Sequence, residues 1–541
     1  MLFNTMREGL YRFLPGMVAL ALLVSGCSHL PMVGPDYVRP SAPEAEEWIE
    51  RDDPKIKSEP TDLSTWWKVF DDPVLDTLIE TAYQQNLPLR IAGIRILEAR
   101  AQLGIAVGNI YPQTQQGRGA YTRVNLSEHA ANTTGLLDFA YGEIDLGFDA
   151  AWELDFWGKF RRSVESSLGN LEASIASYDD ILVTLTAEVA RSYVLVRTLE
   201  QRLAIARENV RVQERSLRIA DARFEGGEVT ELDVQQARAL LGSTQALIPR
   251  LQASLRQAKN GLSILLGKLP GEVDQILGEP KAIPTVPPEV GVGVPAELLR
   301  RRPDIRLAER QLATQSPQIG VAKADLYPHF SLFGSIGVRA SDAALTATGG
   351  LSGSSFSDLW DSDSIEFFAG PAFRWDILNY GRIRNRVRVQ DARFQQLVAG
   401  YQNTVLRAAQ EVEDAMAAFL RTQEEAGFLS NSVVAAARSV ELSLIQYREG
   451  LVDYQRVLDT QRFLAQEQDL LTATTGSVVL NLVAMYKALG GGWEIRVGKD
   501  FVPEETKAEM RERTGWGKLL EQEKLEPPSE EDRKKLRWPD W

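Results

Sequence analysis

The chain has 541 residues and a formal net charge of −14, with 25% charged and 44% hydrophobic residues. This balance is ordinary for a folded protein, and it excludes both wholesale disorder and a polytopic helical membrane protein. The negative net charge argues against nucleic acid as a partner, because phosphate binding needs clustered lysines and arginines. The length allows two or three ordinary domains or one elongated one.

The N-terminus has the pattern of a secretory signal. Two arginines precede an apolar stretch at residues 13–24, which ends in Ser-Gly-Cys27. About a dozen apolar residues are too few for the ~20 that span a bilayer, so we expect residues 1–26 to be a cleaved signal peptide. Cys27 is the only cysteine, and its context resembles the bacterial lipobox. That resemblance implies a lipid on Cys27 and, with Ser28 beside it, outer-membrane sorting; the alternative is an ordinary residue near a conventional cleavage site.

Two long proline-free stretches predict two long helices. No proline occurs at positions 113–248 or 372–502, and both stretches are rich in good helix formers. Because proline in a helix interior costs ~3 kcal/mol, such stretches permit unbroken helices. We predict helices at 158–223 and 381–448, each roughly 100 Å long. A globular domain has no room for rods of this length.

The chain contains two copies of one unit. A Tyr-Pro pair at 111–112 recurs at 327–328, an offset of 216 residues. Further along, the offset settles at 223 residues, as in the pairs Gly158 and Gly381, Glu188 and Glu411, Gly227 and Gly450, and Val234 and Val457. Length differences are therefore confined to the segment between the Tyr-Pro pair and the helix, and the helical register is preserved.

Strands are predicted in that variable segment. Apolar and polar residues alternate at 144–154, 330–339 and 364–376, and less regularly at 113–126. A half-buried strand of a soluble sheet would show the same period. The ~10-residue length, the secretory signal and the Gly/Ser/Thr-rich loops near 127–137 and 341–360 favour a transmembrane barrel that is polar inside and apolar outside.

Each repeat supplies two strands, so one chain supplies four. Four strands cannot close a barrel, and an open edge in lipid leaves unpaired backbone groups that each cost several kcal/mol. The chain must therefore oligomerise, and three copies would give a twelve-stranded ring. Closure by two copies with eight strands stays open on this argument.

Several motifs together resemble the TolC-type outer-membrane factors, and more narrowly their lipoprotein (NodT-like) branch. Besides the lipobox and the Tyr-Pro pairs, they are Gly-Pro-Asp-Tyr at 34–37, Trp66-Trp67, Phe70 with Asp72-Pro73, Arg302-Pro303-Asp304-Ile305 and Ala-Leu-Gly-Gly-Gly-Trp at 488–493. The resemblance implies an α+β membrane protein that closes as a homotrimer into a 12-stranded β-barrel and a periplasmic α-helical barrel. It also implies docking on a periplasmic adaptor protein and an inner-membrane pump.

The expected domain organisation follows the two repeats. The segments are a signal peptide at 1–26, a lipidated equatorial segment at 27–67, a first repeat at 68–267, a Pro/Gly-rich equatorial linker at 268–295, a second repeat at 296–490 and a charged tail at 491–541. The tail is expected to be either equatorial or partly disordered. The first repeat would hold a strand pair about 113–154 and a helical hairpin about 158–265. The second would hold a strand pair about 329–377 and a hairpin about 381–488. A short helix is expected around 504–524 in the tail.

The resemblance implies a periplasmic gate at the two hairpin turns. Gly226, Gly227 and Gly450 occupy the turns that would contact an adaptor or pump. Asp459 falls on the position of a gate aspartate, Asp233 on that of a latch carboxylate and Tyr447 on that of its hydroxyl partner. Three carboxylates around a narrow axis repel one another and favour a shared cation.

Two positions depart from the family pattern at this gate. Arg456 stands where some members have a second ring aspartate, and Val452 stands where those members have a latch arginine. We therefore expect a single carboxylate ring.

Little in the sequence predicts an enzyme, a metal site or a cofactor other than the covalent lipid. The three histidines are scattered without metal-ligand spacing. The adjacent carboxylates Asp179 and Asp180 are interpreted as a solvated helix face, not an acid–base pair. The leading function is a passive conduit in an efflux system. The alternatives are the outer-membrane component of a type I secretion system and a non-pore coiled-coil scaffold lipoprotein.

Overall fold

A computed structural model describes residues 31–43, 47–57, 62–129, 131, 139–287, 289–293, 301–343 and 355–521. The expected signal peptide, Cys27, much of the two loops near 127–137 and 341–360, and the end of the tail lie outside these residues.

The helices and strands fall into two repeats joined by a linker. In chain order they are β1 (Ile56–Lys57), α1 (Pro73–Gln85), α2 (Leu87–Gly108), β2 (Thr114–Asn125), β3 (Ala140–Glu153), α3 (Lys159–Glu225), α4 (Glu231–Leu265), α5 (Val273–Leu277), β4 (Val290–Gly291), α6 (Pro303–Ala324), β5 (His329–Ser341), β6 (Ile365–Arg374), α7 (Arg382–Arg448), α8 (Tyr454–Ala488) and α9 (Glu504–Arg513). Short 3-10 helices lie at Trp66–Phe70, Phe356–Trp360, Ser362–Ser364, Trp493–Arg496 and Gly517–Leu520.

The two predicted long helices are confirmed. The equivalent helices of the two repeats have equal lengths. The helices α3 and α7 each have 67 residues, and α4 and α8 each have 35. Gly158 and Gly381, at φ of +79° and +81°, precede the two long helices, where the left-handed backbone favours glycine. At ~1.5 Å per residue the long helices extend roughly 100 Å. Windows of α7 and α8 are apolar enough to cross a membrane by composition, but α7 is about three times as long as a bilayer core is thick.

The four long strands form one antiparallel sheet in the order β2-β3-β5-β6. The weakly alternating stretch at 113–126 is a strand like the other three. Register places Arg118 opposite Gly147, Gly147 opposite Gly337 and Gly337 opposite Glu366. Among the residues that the structure describes, the outer strands β2 and β6 each have one neighbour, so both edges of the sheet are open there.

The two faces of this sheet differ sharply in charge. Directly paired residues share a face, so the register assigns every strand residue to one side. One side carries three arginines, which are Arg118, Arg339 and Arg374. It also carries five carboxylates, which are Glu143, Asp145, Asp149, Glu153 and Glu366. On the other side, Arg123 is the only charged residue that the four strands contribute. The exposed apolar side chains of that side include Phe148, Ile336 and Phe367.

The sequence motifs converge in a packed belt alongside the part of the long helices α3 and α7 that is nearer the sheet. Arg302 donates to the carbonyl oxygen of Ala488 at 2.7 Å and to carboxylates of Asp304 and Glu411, each at 2.7 Å. Trp66 stacks on Tyr486 with the ring centroids 5.3 Å apart. A Cβ at Gly492 would lie 3.1 Å from Trp66 Nε1. The triple glycine therefore packs closely against Trp66, and it also ends the helix α8.

The interpretation of Asp179 as solvated is wrong. Its side chain is 0% exposed and forms ion pairs with Arg306, at 2.8 Å, and with Arg496. Arg306 also lies 4.4 Å from the ring centroid of Trp493. A buried carboxylate needs such partners, because an unpaired buried charge is very costly. Asp180, one residue further along, is half-buried, so this part of α3 faces the belt and not the solvent.

The described part of the tail packs against α2. Phe501, Val502 and Leu520 are buried. A Cβ at Gly93 would clash with the carbonyl oxygen of Phe501, so the tail backbone lies directly on this helix. The helix α9 ends at Arg513, short of the expected 524. The tail up to residue 521 is therefore an integral part of the belt.

Candidate functional site at the hairpin tips

The two hairpins turn through the same backbone geometry. Gly227 and Gly450 have φ of +73° and +74°. Beyond each glycine, an N–H donates back to the helix, from Glu228 to the carbonyl of Arg223 at 2.9 Å and from Leu451 to that of Gln446 at 2.8 Å. This is the hydrogen-bond pattern of a Schellman cap, which needs a left-handed residue at each turn. The predicted tip glycines Gly226, Gly227 and Gly450 therefore lie at the turns.

A small hydrophobic cluster joins the two tips. Its buried residues come from all four helices and are Ala220, Val234, Ala237, Leu240, Tyr447, Tyr454, Val457 and Leu458. The rings of Tyr447 and Tyr454 are tilted, with centroids 5.1 Å apart. Tyr454 Oη lies 3.0 Å from Ser216 Oγ. The second hairpin is thus held against the first by packing and by hydrogen bonds of buried tyrosines.

The structure brings Asp233 and Tyr447 together. Tyr447 Oη donates to Asp233 Oδ2 at 3.5 Å, a long hydrogen bond between the two hairpins. Burial raises the pKa of Tyr447 to about 12, helped by the nearby Asp233 carboxylate. Burial also raises the pKa of Asp233, and the hydroxyl of Tyr447 and the charge of Arg223 oppose that shift. This hydrogen bond connects α7 of the second hairpin with α4 of the first.

Arg223 is a third member of this link that the sequence did not reveal. Its guanidinium lies 4.7 Å from the centroid of the Tyr447 ring and donates to the main-chain carbonyl of Tyr447. It also pairs with Glu228 at 2.9 Å. An arginine in the last turn of a helix suits the helix dipole, and this was its only local signal. Its contact across the hairpins depends on how the two repeats pack.

Asp459 lies apart from the Tyr447 link. Its side chain is 56% exposed, with Arg462 3.9 Å away. Gln455 donates to its Oδ1 at 2.8 Å. All three residues are on α8, so within one chain the carboxylate has contacts along its own helix.

The two departures from the family pattern have local roles. The backbone N–H of Arg456 donates to the capping carboxylate of Asp453 at 3.2 Å, and the Arg456 side chain is exposed. Val452 packs on the tip cluster. An apolar contact is therefore found at the position where some members of the family have a latch arginine. Among the residues that the structure describes, no group of three or more His, Cys, Asp or Glu is arranged to hold a metal ion.

The chain matches a known protein family over both repeats. The profile of the family described as outer membrane efflux protein matches residues 78–268 and 294–491. The chain belongs to this family. The match covers both repeats, with the linker between them left out. The sheet, the long hairpins and the tips therefore belong to an outer-membrane efflux channel, and this family consists of channel-type proteins and not enzymes.

Relatives across bacteria share most of the chain. It is 33% identical over 435 residues to the pyoverdine export outer membrane protein OpmQ of Pseudomonas putida, covering 79% of this chain and 88% of that protein. It is 30% identical over 473 residues to nodulation protein T of Rhizobium leguminosarum bv. trifolii, covering 87% and 96%. It is 29% identical over 486 residues to the probable outer membrane lipoprotein SilC of Salmonella typhimurium, covering 88% and 98%.

Solved channels share the architecture of this efflux channel. The outer-membrane channel OprN superimposes with a TM-score of 0.78 at 33% identity, over 85% of this chain and 99% of that one. A crystal structure of CusC gives a TM-score of 0.72 at 27% identity, over 85% and 100%. The expected TolC-type resemblance and fold class are confirmed by these matches.

Proposed function

We propose that this outer-membrane efflux channel works as a homotrimer and serves as the passive outer conduit of a tripartite system. The main support for this proposal is the open four-stranded sheet. The edges β2 and β6 leave backbone groups unpaired, and in lipid each such group costs several kcal/mol. Pairing β6 of one copy with β2 of the next removes both edges. Three copies give the twelve-stranded ring, with the charged face inside and the apolar face towards lipid.

The hairpins would carry the conduit into the periplasm. The helices α3 and α7 are long enough to reach roughly 100 Å from the barrel, and both end in glycine turns of the same geometry. Those turns, at Gly226, Gly227 and Gly450, would meet the periplasmic adaptor protein and the inner-membrane pump. The channel has no site for chemistry in this proposal, so the pump supplies the transport energy.

The tip cluster would close the periplasmic entrance. In this proposal the Tyr447–Asp233 hydrogen bond and the Arg223 contacts hold the second hairpin against the first. Asp459, exposed on α8, would meet its counterparts from two other copies near the axis. A ring of three carboxylates favours a bound cation. Opening would break the Tyr447 link and move the carboxylates apart.

The exported substrate would be a small solute. OpmQ is named for pyoverdine export and CusC for cation efflux, and both relatives support small-molecule efflux over protein secretion. The relatives differ from one another in substrate, so the fold does not select one compound. Susceptibility profiling of a deletion strain against dyes, antibiotics, metal salts and siderophores would identify the class.

Cys27 would carry a lipid that anchors the mature N-terminus in the outer membrane. The lipobox pattern supports this proposal, as does the name of SilC as a probable outer membrane lipoprotein. The anchor is auxiliary, because strand pairing and not the lipid closes the pore. Cys27→Ala should therefore reduce outer-membrane sorting in membrane fractions while the assembled trimer persists. Complete loss of the trimer in that variant would contradict this division of roles.

Purified full-length protein tests the conduit directly. We expect unheated samples to migrate as three chains and heated samples as one, and we expect discrete conductance steps in planar bilayers. A mass of two chains would support closure with eight strands instead. A protein that assembles but never conducts would be a scaffold and would contradict the proposed function.

A further inference from the structure

Arg118 spans the charged face of the sheet. Its Nε lies 2.9 Å from Asp145 Oδ1 on β3, and its Nη1 donates to Ser335 Oγ on β5 at 2.8 Å. The same guanidinium pairs with Asp149 on β3. Its Nη2 is 3.8 Å from Glu366 on β6. One arginine from the first strand therefore reaches all three other strands.

Two glycines make this reach possible. Gly147 and Gly337 are directly paired, and they lie in register between Arg118 and Glu366. A Cβ at Gly147 would lie 3.2 Å from Arg118 Cζ, and a Cβ at Gly337 would lie 3.5 Å from Arg118 Nη2. Because neither position has a side chain, the guanidinium lies flat across the middle of the sheet.

A second arginine shares the same carboxylates. Arg339 Nη2 lies 2.9 Å from Asp145 Oδ2 and 3.1 Å from Glu366 Oε1. Its Nε lies 3.8 Å from Glu143 Oε1. Two arginines thus face the four carboxylates Glu143, Asp145, Asp149 and Glu366. This group, which we call the sheet network, has a net charge of −2 in each chain.

The sheet network is remote from the hairpin tips. Arg118 and Gly147 lie near the middle of β2 and β3, whereas the tip link lies at the far end of the 67-residue helix α3. At ~1.5 Å per residue the two are separated by roughly 100 Å. Over this distance the fields of the two groups are screened from one another, since the Debye length at physiological salt is about 8 Å.

We propose that the sheet network is a second charge filter of the channel, separate from the periplasmic tips, and that Arg118 sets its strength. The inference rests on the proposed closure of three copies into a barrel. Closure places three networks around one lumen with a total charge of −6, which attracts cationic solutes and repels anionic ones. Arg118 offsets part of the carboxylate charge, so the filter prefers cations without binding them tightly.

Reversal potentials of the purified full-length channel in a KCl gradient test this proposal. Arg118→Gln should raise the ratio of K⁺ to Cl⁻ permeability by about twofold or more, because each trimer gains three uncompensated negative charges. Glu366→Gln should lower the ratio. Arg118→Lys keeps the charge and should stay near the wild-type ratio, which separates charge from side-chain shape.

Arg123→Gln is the matched control. It makes the same charge change on the same strand, but on the opposite face, and should leave the ratio unaltered. Trimer migration before heating checks the assembly of every variant, and Glu366→Gln keeps the proposal testable if Arg118→Gln does not assemble. Equal ratios for wild type, Arg118→Gln and Glu366→Gln would overturn the filter. A wild-type protein without conductance would instead count against the proposed function.

Discussion

The hydroxyl of Tyr447 lies 3.5 Å from the carboxylate of Asp233 and connects the two helical hairpins at their tips. Tyr447 is 1% exposed, and its ring is covered by Tyr454 on one side and approached by Arg223. The link therefore combines one long hydrogen bond with a well-packed aromatic contact. Single substitutions can remove each of these contacts separately, so the proposed gate can be tested directly.

Tyr447→Phe removes the hydroxyl and keeps the ring. A hydrogen bond of this kind contributes about 1 kcal/mol, so the closed state should weaken about fivefold relative to the open one. We expect higher vancomycin entry into cells and a larger closed-state conductance. Tyr454→Phe removes a neighbouring hydroxyl bonded to Ser216 and serves as the control. Equal entry in wild type and Tyr447→Phe would argue against the latch.

Asp233 should make the closed state depend on pH. Burial raises its pKa above the ordinary value of 3.8, so the closed state holds the proton more tightly than an open, solvated one. The resulting stabilisation is complete below the ordinary pKa and is lost as the pH rises through the raised one. Closed-state conductance should therefore fall when the pH is lowered from neutral towards 4.

Asp233→Asn should abolish that pH dependence, because the amide imitates the protonated acid. Both proteins are best measured with Asp459→Asn in place, so that the proposed carboxylate ring is absent from both. Tyr447, with a pKa of about 12, does not titrate in this range. The same pH response with and without Asp233 would remove Asp233 from the explanation.

Arg223→Lys should loosen the tips more than Tyr447→Phe does. Lysine keeps the charge but cannot lie flat on the Tyr447 ring while donating to its carbonyl. Loss of both contacts is expected to cost about 1–2 kcal/mol. Vancomycin entry and closed-state conductance are the measurements. Arg218→Lys, at an exposed arginine five residues earlier on the same helix, is the control. A lysine variant that leaks no more than wild type would remove Arg223 from the gate.

Asp459→Ala should reduce block by divalent cations. If three copies face one another, removing three carboxylates abolishes the shared cation site, and single-channel conductance rises. Glu449→Gln changes an exposed carboxylate at the turn of the same hairpin and should leave the block intact. Unchanged block and conductance in Asp459→Ala would mean that this side chain is an ordinary solvated charge on α8.

Asp179→Asn should destabilise the belt without altering the pore. The substitution leaves Arg306 and Arg496 without their shared carboxylate, and breaking a buried ion pair costs about 3 kcal/mol. Thermal unfolding of the detergent-solubilised trimer should shift to lower temperature. Asp180→Asn, at the neighbouring half-buried residue, should shift it less. Matching melting curves for the two variants would show that the Asp179 network contributes little.

Features that depend on short stretches of chain were predictable. The long helices followed from missing prolines and good helix formers, and the repeat followed from the constant offset of 223 residues. Three strands followed from alternation, because one side must face lipid and the other water. β2 was the weakest prediction, because its apolar side holds Gly117 and Gly119 where the other strands have larger side chains. The roles of Asp459, Asp233 and Tyr447 remain predictions.

The helices, the strands, the duplication and the need for other copies follow from the sequence, because these depend on local backbone preferences and on hydrogen bonds that four strands cannot complete alone. The tertiary structure alone decided which charges meet. Asp179 was expected in solvent and is enclosed by two arginines, Arg223 reaches a tyrosine 224 residues away, and Arg118 crosses two glycines to three other strands. Such contacts join residues far apart in the chain, where no local pattern records the partner.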